Sequence, residues 1–136
     1  MQGYNIIVVF DEKGENVLMC KRSKNPYKGL FNFAGGKIET GETGIAAAYR
    51  ELREETAITK EDIILTHLMD FTYHLDKYYL EVYVGKLNKH VSVSGDENEL
   101  YWMPLDDDFG DASKYAGEGS IAHIMMRIKQ EKQLHL

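Results

Sequence analysis

Residues 35–58, GGKIETGETGIAAAYRELREETAI, constrain this chain more than any other stretch. Paired glycines close an extended segment and a short polar loop follows. Thr43 then stands where it can cap a helix rich in alanine and leucine. Glu51, Glu54 and Glu55 are spaced i, i+3 and i+4, so a helix gathers them within an arc of about 100°. Ile45, Ala48, Tyr49 and Leu52 take an adjoining face and predict docking on a sheet. Like charges at i,i+4 oppose folding by ~0.2–0.5 kcal/mol per pair, which Arg50 offsets in part through Glu54. A solvated charged face is the plain explanation of a generic acidic helix. Here the helix follows a loop in which Gly35, Gly36 and Gly41 permit sharp turns and Lys37 supplies a cation. Loop, lysine and carboxylates together make a place for a polyphosphate and its metals, since magnesium prefers a few carboxylates plus phosphate oxygens.

The flanking sequence predicts the scaffold. YNIIVVF reads as a strand, DEKGEN as a turn with Gly14 at positive φ, and VLMCKR as the hairpin partner. LFNFAGG is a short strand. Residues 62–75 and 77–87 read as two strands joined near Asp76–Lys77, and ELYWMPL as a short strand stopped by Pro104. SIAHIMMRIKQEKQL, residues 120–134, predicts an amphipathic helix with Ile121, Ile124, Met125 and Ile128 at helical spacing. The order of strands, helix, strands and helix predicts an α/β fold, a mixed sheet packed between helices.

The 136 residues suit one domain over 1–136, with no repeat, low-complexity tract or linker. A net charge of −6 argues against a nucleic-acid polymer as partner, because such binding rests on neutralising phosphates with lysine and arginine. A small phosphorylated molecule remains open if metal ions supply the positive charge. The single Cys20 excludes an internal disulfide and suits a reducing cytoplasm. No apolar run approaches the ~18 residues of a membrane span, and the N-terminus lacks a signal-peptide pattern, so the expectation is a cytoplasmic protein without a membrane partner. Nothing in the sequence specifies an oligomer.

The segment Gly36–Ile58 resembles the signature of the Nudix hydrolases, Gly-x5-Glu-x7-Arg-Glu-U-x-Glu-Glu-x-Gly-U with U a bulky aliphatic residue. Gly36 and Glu42 open it; Arg50, Glu51, Leu52, Arg53, Glu54, Glu55, Thr56, Ala57 and Ile58 complete it. Ala57 departs from the family glycine, and Ala34 replaces the proline that many members carry. Alanine tolerates a helix end with negative φ, so a slightly different helix exit is expected with the ligands intact.

The resemblance implies the family's α/β/α sandwich and the hydrolysis of a nucleoside diphosphate linked to another moiety, with Mg2+ as cofactor and Mn2+ as a substitute. It implies Glu51, Glu54 and Glu55 as metal ligands, one of them able to deprotonate water, with Glu54, Glu51 and Arg50 as catalytic candidates. Arg50 would orient the glutamates, and Glu42 would do the same for the loop or serve as a minor ligand. Lys37, Arg22 and Gly36 are the substrate-binding candidates. In GDENELYW, Glu97 or Glu99 offers a further ligand or general base, against the alternative of solvated turn residues, and Glu99 joins the catalytic candidates. Trp102, Tyr73, Phe71, Tyr27 and Tyr4 can wall a base site or simply pack the core. The loop-and-signature stretch is similar to the mutator-type branch, which hydrolyses nucleoside triphosphates such as 8-oxo-dGTP to monophosphate and pyrophosphate. That branch reads guanine through an asparagine before the last helix. KYAGEGSI has none, and Glu118 is the nearest polar candidate. Hydrolysis of ADP-ribose or a nucleotide sugar is the alternative activity, against which the absence of an N-terminal dimerisation domain argues mildly. A non-catalytic ligand sensor would be marked by lost signature glutamates, and none is lost.

Overall fold

The computed structural model describes residues 1–131. Its elements are β1 (Gln2–Phe10), β2 (Asn16–Lys21), β3 (Phe31–Asn32), α1 (Gly44–Thr56), β4 (Thr66–Tyr73), β5 (Tyr78–Lys86), β6 (Glu99–Pro104) and α2 (Ser120–Gln130). The expected helix over 120–134 thus reaches Gln130, and its positions 132–134 lie outside the described residues. Among the described residues no helix is long and apolar enough to cross a membrane.

β1 and β2 are joined by the expected turn. Asp11 Oδ1 accepts from the Glu15 backbone N–H at 2.9 Å, and Gly14 has φ 68°. The hairpin is nevertheless brief: the two strands are in register only at Phe10↔Val17. β1 pairs in parallel with β5 along its whole length, from Gln2↔Tyr78 to Phe10↔Lys86. On its other edge it takes up the segment after β3, with Asn5 N–H donating to Gly36 O and Ile7 N–H to Ala34 O, both at 2.8 Å. β2 turns away to pair with β3 and β6. The result is a mixed six-stranded sheet of order β3-β2-β1-β5-β4, with β6 on β2.

Each face of the sheet buries a helix. Val8, Phe10, Val17, Met19, Val82 and Val84 pack under Ile121, Ile124, Met125 and Ile128 of α2. Ile7, Val9, Leu18, Cys20 and Tyr83 pack under Ala48 and Leu52 of α1. β1 is therefore buried on both faces, which explains its unbroken apolar run. In α1 the buried positions are Ala47, Ala48, Leu52 and Thr56. Ile45, in the first turn, is exposed instead of docked, and Tyr49 is half-buried with its hydroxyl accepting from Leu65 N–H at 2.9 Å.

α1 begins as expected, with Thr43 Oγ1 accepting from Ala46 N–H at 3.3 Å. Its end differs from expectation. Ala57 has φ 68°, the left-handed region, and its N–H donates to Arg53 O at 3.0 Å. The cause lies one residue on: Ile58 is fully buried, so the chain must turn sharply inward. Thr56 secures that turn, its Oγ1 donating to Leu52 O at 2.6 Å and accepting from Ile58 N–H at 3.1 Å. Left-handed backbone costs an L-residue roughly 1–2 kcal/mol that glycine avoids. Ala57 is exposed and its methyl group contributes no core packing. Ala57→Gly is therefore expected to raise unfolding free energy by about 1 kcal/mol in urea titrations. An unchanged or lower value would mean that the alanine relaxes without strain.

Candidate functional site

The glycine pair holds the site together. A Cβ at Gly35 would collide with the Asn5 backbone oxygen, and φ at Gly35 is 153°. A Cβ at Gly36 would stand 2.6 Å from both Glu51 carboxylate oxygens. The glycines thus let β1 approach from one side and the carboxylates from the other. Gly35 N–H donates to Glu55 Oε2 and Gly36 N–H to Asn5 Oδ1, each at 2.9 Å. Asn5 is buried in the middle of an apolar strand, and its Nδ2 is the buried side-chain nitrogen without a partner among the described residues.

Arg50 organises the acidic groups. Its Nε donates to Glu42 Oε2 at 2.6 Å, and Nη2 donates to Glu42 Oε1 at 2.8 Å and to Lys37 O at 3.0 Å. Nη1 reaches Glu51 Oε1 at 3.1 Å and Glu54 Oε2 at 3.2 Å. This planar five-donor fork suits several carboxylates at once. The bond from Arg50, with that from Glu39 N–H, holds the Glu42 carboxyl down at about 2. Glu51 is shifted the other way, upward, because burial outweighs Arg50. Burial pushes Glu55 up to about 7 against the pull of Gly35 N–H, and the charges of Glu51, Glu54 and Glu97 add to the rise.

Two cavities adjoin at this point. The smaller, about 180 Å³, is lined by Glu51, Glu54 and Glu55 of α1 and by Asp96, Glu97 and Asn98 opposite. The larger, about 640 Å³, lies on the α2 side and carries Tyr4, Tyr27, Phe71, Tyr73 and Tyr78. Tyr73 stacks on Tyr78 at 4.7 Å, and Tyr4 meets Tyr78 edge-on at 6.0 Å. Cys20, Glu55 and Asn98 line both spaces.

The donor set of the small cavity is carboxylate oxygen, the chemistry that hard divalent cations take. The raised Glu55 pKa comes first from burial and then from the charges of Glu51, Glu54 and Glu97, and a cation beside these groups would favour their ionised forms. Among the described residues, however, no three His, Cys, Asp or Glu side chains converge in a ligating group. Arg50 engages one oxygen each of Glu51 and Glu54. Ligation therefore requires those carboxylates to turn from the guanidinium, or phosphate oxygens to complete the shell.

The remaining candidates divide. Arg22 lines the large cavity, with its Nε donating to Pro26 O at 2.6 Å. The Lys37 side chain is exposed and lines neither cavity; its carbonyl is what bonds Arg50. Glu99 is not in the group. Strand alternation turns Leu100 and Trp102 toward the α1 side, so Glu99 and Tyr101 face the other way, and Glu99 takes the Tyr101 hydroxyl. Glu97, in the loop ahead of β6, is the residue that reaches the carboxylate cavity. Trp102 also leaves the aromatic wall, lining a small cleft with Asp11 and His90. Glu118 stands at the large cavity with φ 56° and accepts from the Tyr27 hydroxyl at 3.0 Å, which sets it on the rim. Asn5, Tyr78 and Asn98 were not singled out from sequence. Asn5 left a legible sign, a polar residue inside YNIIVVF.

Comparison with known proteins bears on the family and the fold. The NUDIX domain model matches residues 2–120. An ADP-ribose pyrophosphatase of Methanocaldococcus jannaschii is 47% identical over 47 residues, 35% of this chain and 28% of that protein. The CTP pyrophosphohydrolase of Escherichia coli is 29% identical over 96 residues, 66% of this chain and 71% of its own. The chain therefore spans well under a third of the archaeal relative. A C. elegans Ap4A hydrolase in a binary complex shares the fold with TM-score 0.74 and 22% identity, covering 96% of each chain.

Proposed function

As the chain belongs to the Nudix family, we propose that it hydrolyses the α,β-phosphoanhydride of a nucleoside triphosphate, releasing monophosphate and pyrophosphate. The observation that carries this reading is the continuity of the two cavities through Glu55 and Asn98. An aromatic space for a base opens directly into an acidic space for metals and phosphates.

Magnesium, with manganese as substitute, would be held by Glu51 and Glu54; when bound it neutralises phosphate oxygens and acidifies water. Glu55 differs from its two neighbours. One of its oxygens is fixed by Gly35 N–H, and it is not among the carboxylates that Arg50 engages, which leaves its other oxygen able to accept a proton. The reading gives Glu55 the proton of the attacking water. Arg50 draws Glu51 and Glu54 to one guanidinium nitrogen through charge-assisted hydrogen bonds, holding the pair together until a cation takes its place. Tyr73 and Tyr78 offer the base a stacked aromatic face, and Arg22 borders the same cavity. Base discrimination is expected to be modest, with Glu118 the group able to accept from guanine N–H donors.

The second reading, ADP-ribose or nucleotide-sugar hydrolysis, is favoured by the archaeal relative's name and its identity over 47 residues. A screen of pyrophosphate and phosphate release over canonical and oxidised nucleoside triphosphates, dinucleoside polyphosphates, ADP-ribose and nucleotide sugars separates the two. Pyrophosphate release from triphosphates, abolished by excess EDTA and restored by magnesium, is the expected result. Turnover of ADP-ribose alone would overturn the substrate class, and full activity in EDTA would overturn the metal reading.

A further inference from the structure

Three side chains form the neck between the cavities: Cys20, Glu55 and Asn98. Glu55 already has a part in the chemistry. Cys20 is an inert wall, its thiol pushed up to about 12 by burial and by the Glu55 charge. Asn98 has no part assigned so far, and its orientation is unambiguous. Ser23 N–H donates to Asn98 Oδ1 at 3.1 Å, and Ser23 Oγ–H donates to the same oxygen at 3.0 Å. A backbone N–H can only donate, so the amide oxygen must face Ser23 and Nδ2 must face away. No protein acceptor among the described residues takes the Nδ2 hydrogens, and the residue lines both cavities.

A nucleotide lying with its base among the tyrosines and its anhydride among the glutamates must pass its phosphate chain through this neck. The neck otherwise presents a carboxylate and a thiol, neither of which welcomes an anion. An amide donor supplies attraction without adding charge to the acidic group of Glu51, Glu54, Glu55, Asp96 and Glu97. We propose that Asn98 is a substrate-positioning residue whose Nδ2 donates a hydrogen bond to a phosphate oxygen beside the scissile anhydride. The two bonds from Ser23 tie the Glu97 loop to the end of β2 and aim that donor. The proposal rests on the nucleotide-hydrolase reading above.

The test compares wild type, Asn98→Asp and Asn98→Ala for affinity toward an α,β-methylene nucleoside triphosphate with magnesium, by calorimetric titration, alongside kcat and KM. Asn98→Asp keeps an oxygen for both Ser23 donors while replacing the Nδ2 donor with a charged oxygen, which guards against a folding failure in Asn98→Ala; Asn98→Ala removes the donor without adding charge. A hydrogen bond to a charged group carries about a tenfold to hundredfold effect on affinity. The expected result is at least about tenfold weaker binding in both variants, a matching rise in KM, and unchanged binding of the phosphate-free nucleoside. The charge-free Asn98→Ala should carry the deficit as well, which repulsion by the added aspartate charge alone would not produce. Wild-type-like affinity in Asn98→Asp with weak binding in Asn98→Ala would reduce the residue to a loop clamp and overturn the proposal. So would weak binding in Asn98→Asp with wild-type-like affinity in Asn98→Ala, which would leave only repulsion by the added charge. A wild type that neither binds nor cleaves any nucleotide would instead overturn the function on which it rests.

Discussion

Glu55→Gln is expected to lower kcat by at least ~100-fold while leaving the fold intact, the scale set by loss of a positioned proton acceptor. Glutamine preserves the shape and can still accept from Gly35 N–H through its amide oxygen. KM should change little, because Glu55 is one acidic group among several at the anhydride. The same variant has a stability signature of definite sign in metal-free buffer. The folded pKa, about 7, lies above the ordinary glutamate value of 4.5, so the native state binds this proton more tightly than the unfolded chain. Stability conferred by the protonated form is fully present below about pH 4.5 and is lost as pH rises toward 7. Glutamine cannot ionise, so Glu55→Gln should match wild type near pH 4.5 and exceed it at pH 8, by on the order of 1–3 kcal/mol. Urea titrations at the two pH values in EDTA decide the matter. Equal stability at pH 8 would show that the carboxylate is better solvated than its surroundings suggest. Retained turnover would move the proton to another group, Glu97 first.

Gly35→Ala is expected to be the most damaging single methyl group in the site. Its backbone angle disfavours any side chain, and the added carbon would run into the Asn5 backbone oxygen, which has little freedom inside the sheet. Strain and overpacking together cost about 3 kcal/mol, or roughly 10 °C in Tm for a chain of this size. The shift would also pull Gly35 N–H from Glu55 and disturb Gly36 beneath Glu51, so kcat/KM of the folded protein should fall by about a hundredfold. Gly41→Ala is the control. It shares a positive φ, 88°, but has open space where the methyl group would go, so it should lose only about 1 kcal/mol. Equal stability of the two variants would mean that β1 yields to the intruding carbon.

These expectations trace to a segment whose local order was open to reading from sequence. Thr43, the alanine run and the i, i+3, i+4 glutamates act over one to four residues, and helix geometry does the rest. The strands were legible through their β-branched content and turn residues. What escaped depended on contacts between distant parts. Ala57 turns left-handed because Ile58 must reach the core, and no local preference of alanine announces that. Glu97 and Glu99 look alike in GDENELYW; Glu97 falls in the loop that borders the carboxylates, whereas β6 begins at Glu99, whose register against β2, Lys21↔Glu99, turns it away from α1. Asn98 acquires its orientation from Ser23, 75 residues earlier. The sequence reading of β2 as the hairpin partner of β1 holds, while the shortness of their pairing was not legible. The two strands separate beyond the turn, β2 toward β6 and β1 toward β5.

That separation has a bearing on how the molecule assembles. Gln2 pairs with Tyr78 and Phe10 with Lys86, so the central strand waits for residues more than about seventy positions along the chain, and in parallel, the slower of the two pairings to nucleate. The neighbouring edge of β1 carries Asn5 and Ile7, whose amides bond the glycine loop. The phosphate end is thus expected to form late, after β4 and β5 have paired and drawn β1 in. Amide hydrogens of Asn5, Ile7 and Gly36 should accordingly exchange only through opening of the whole molecule, and the acidic site should exist complete or not at all.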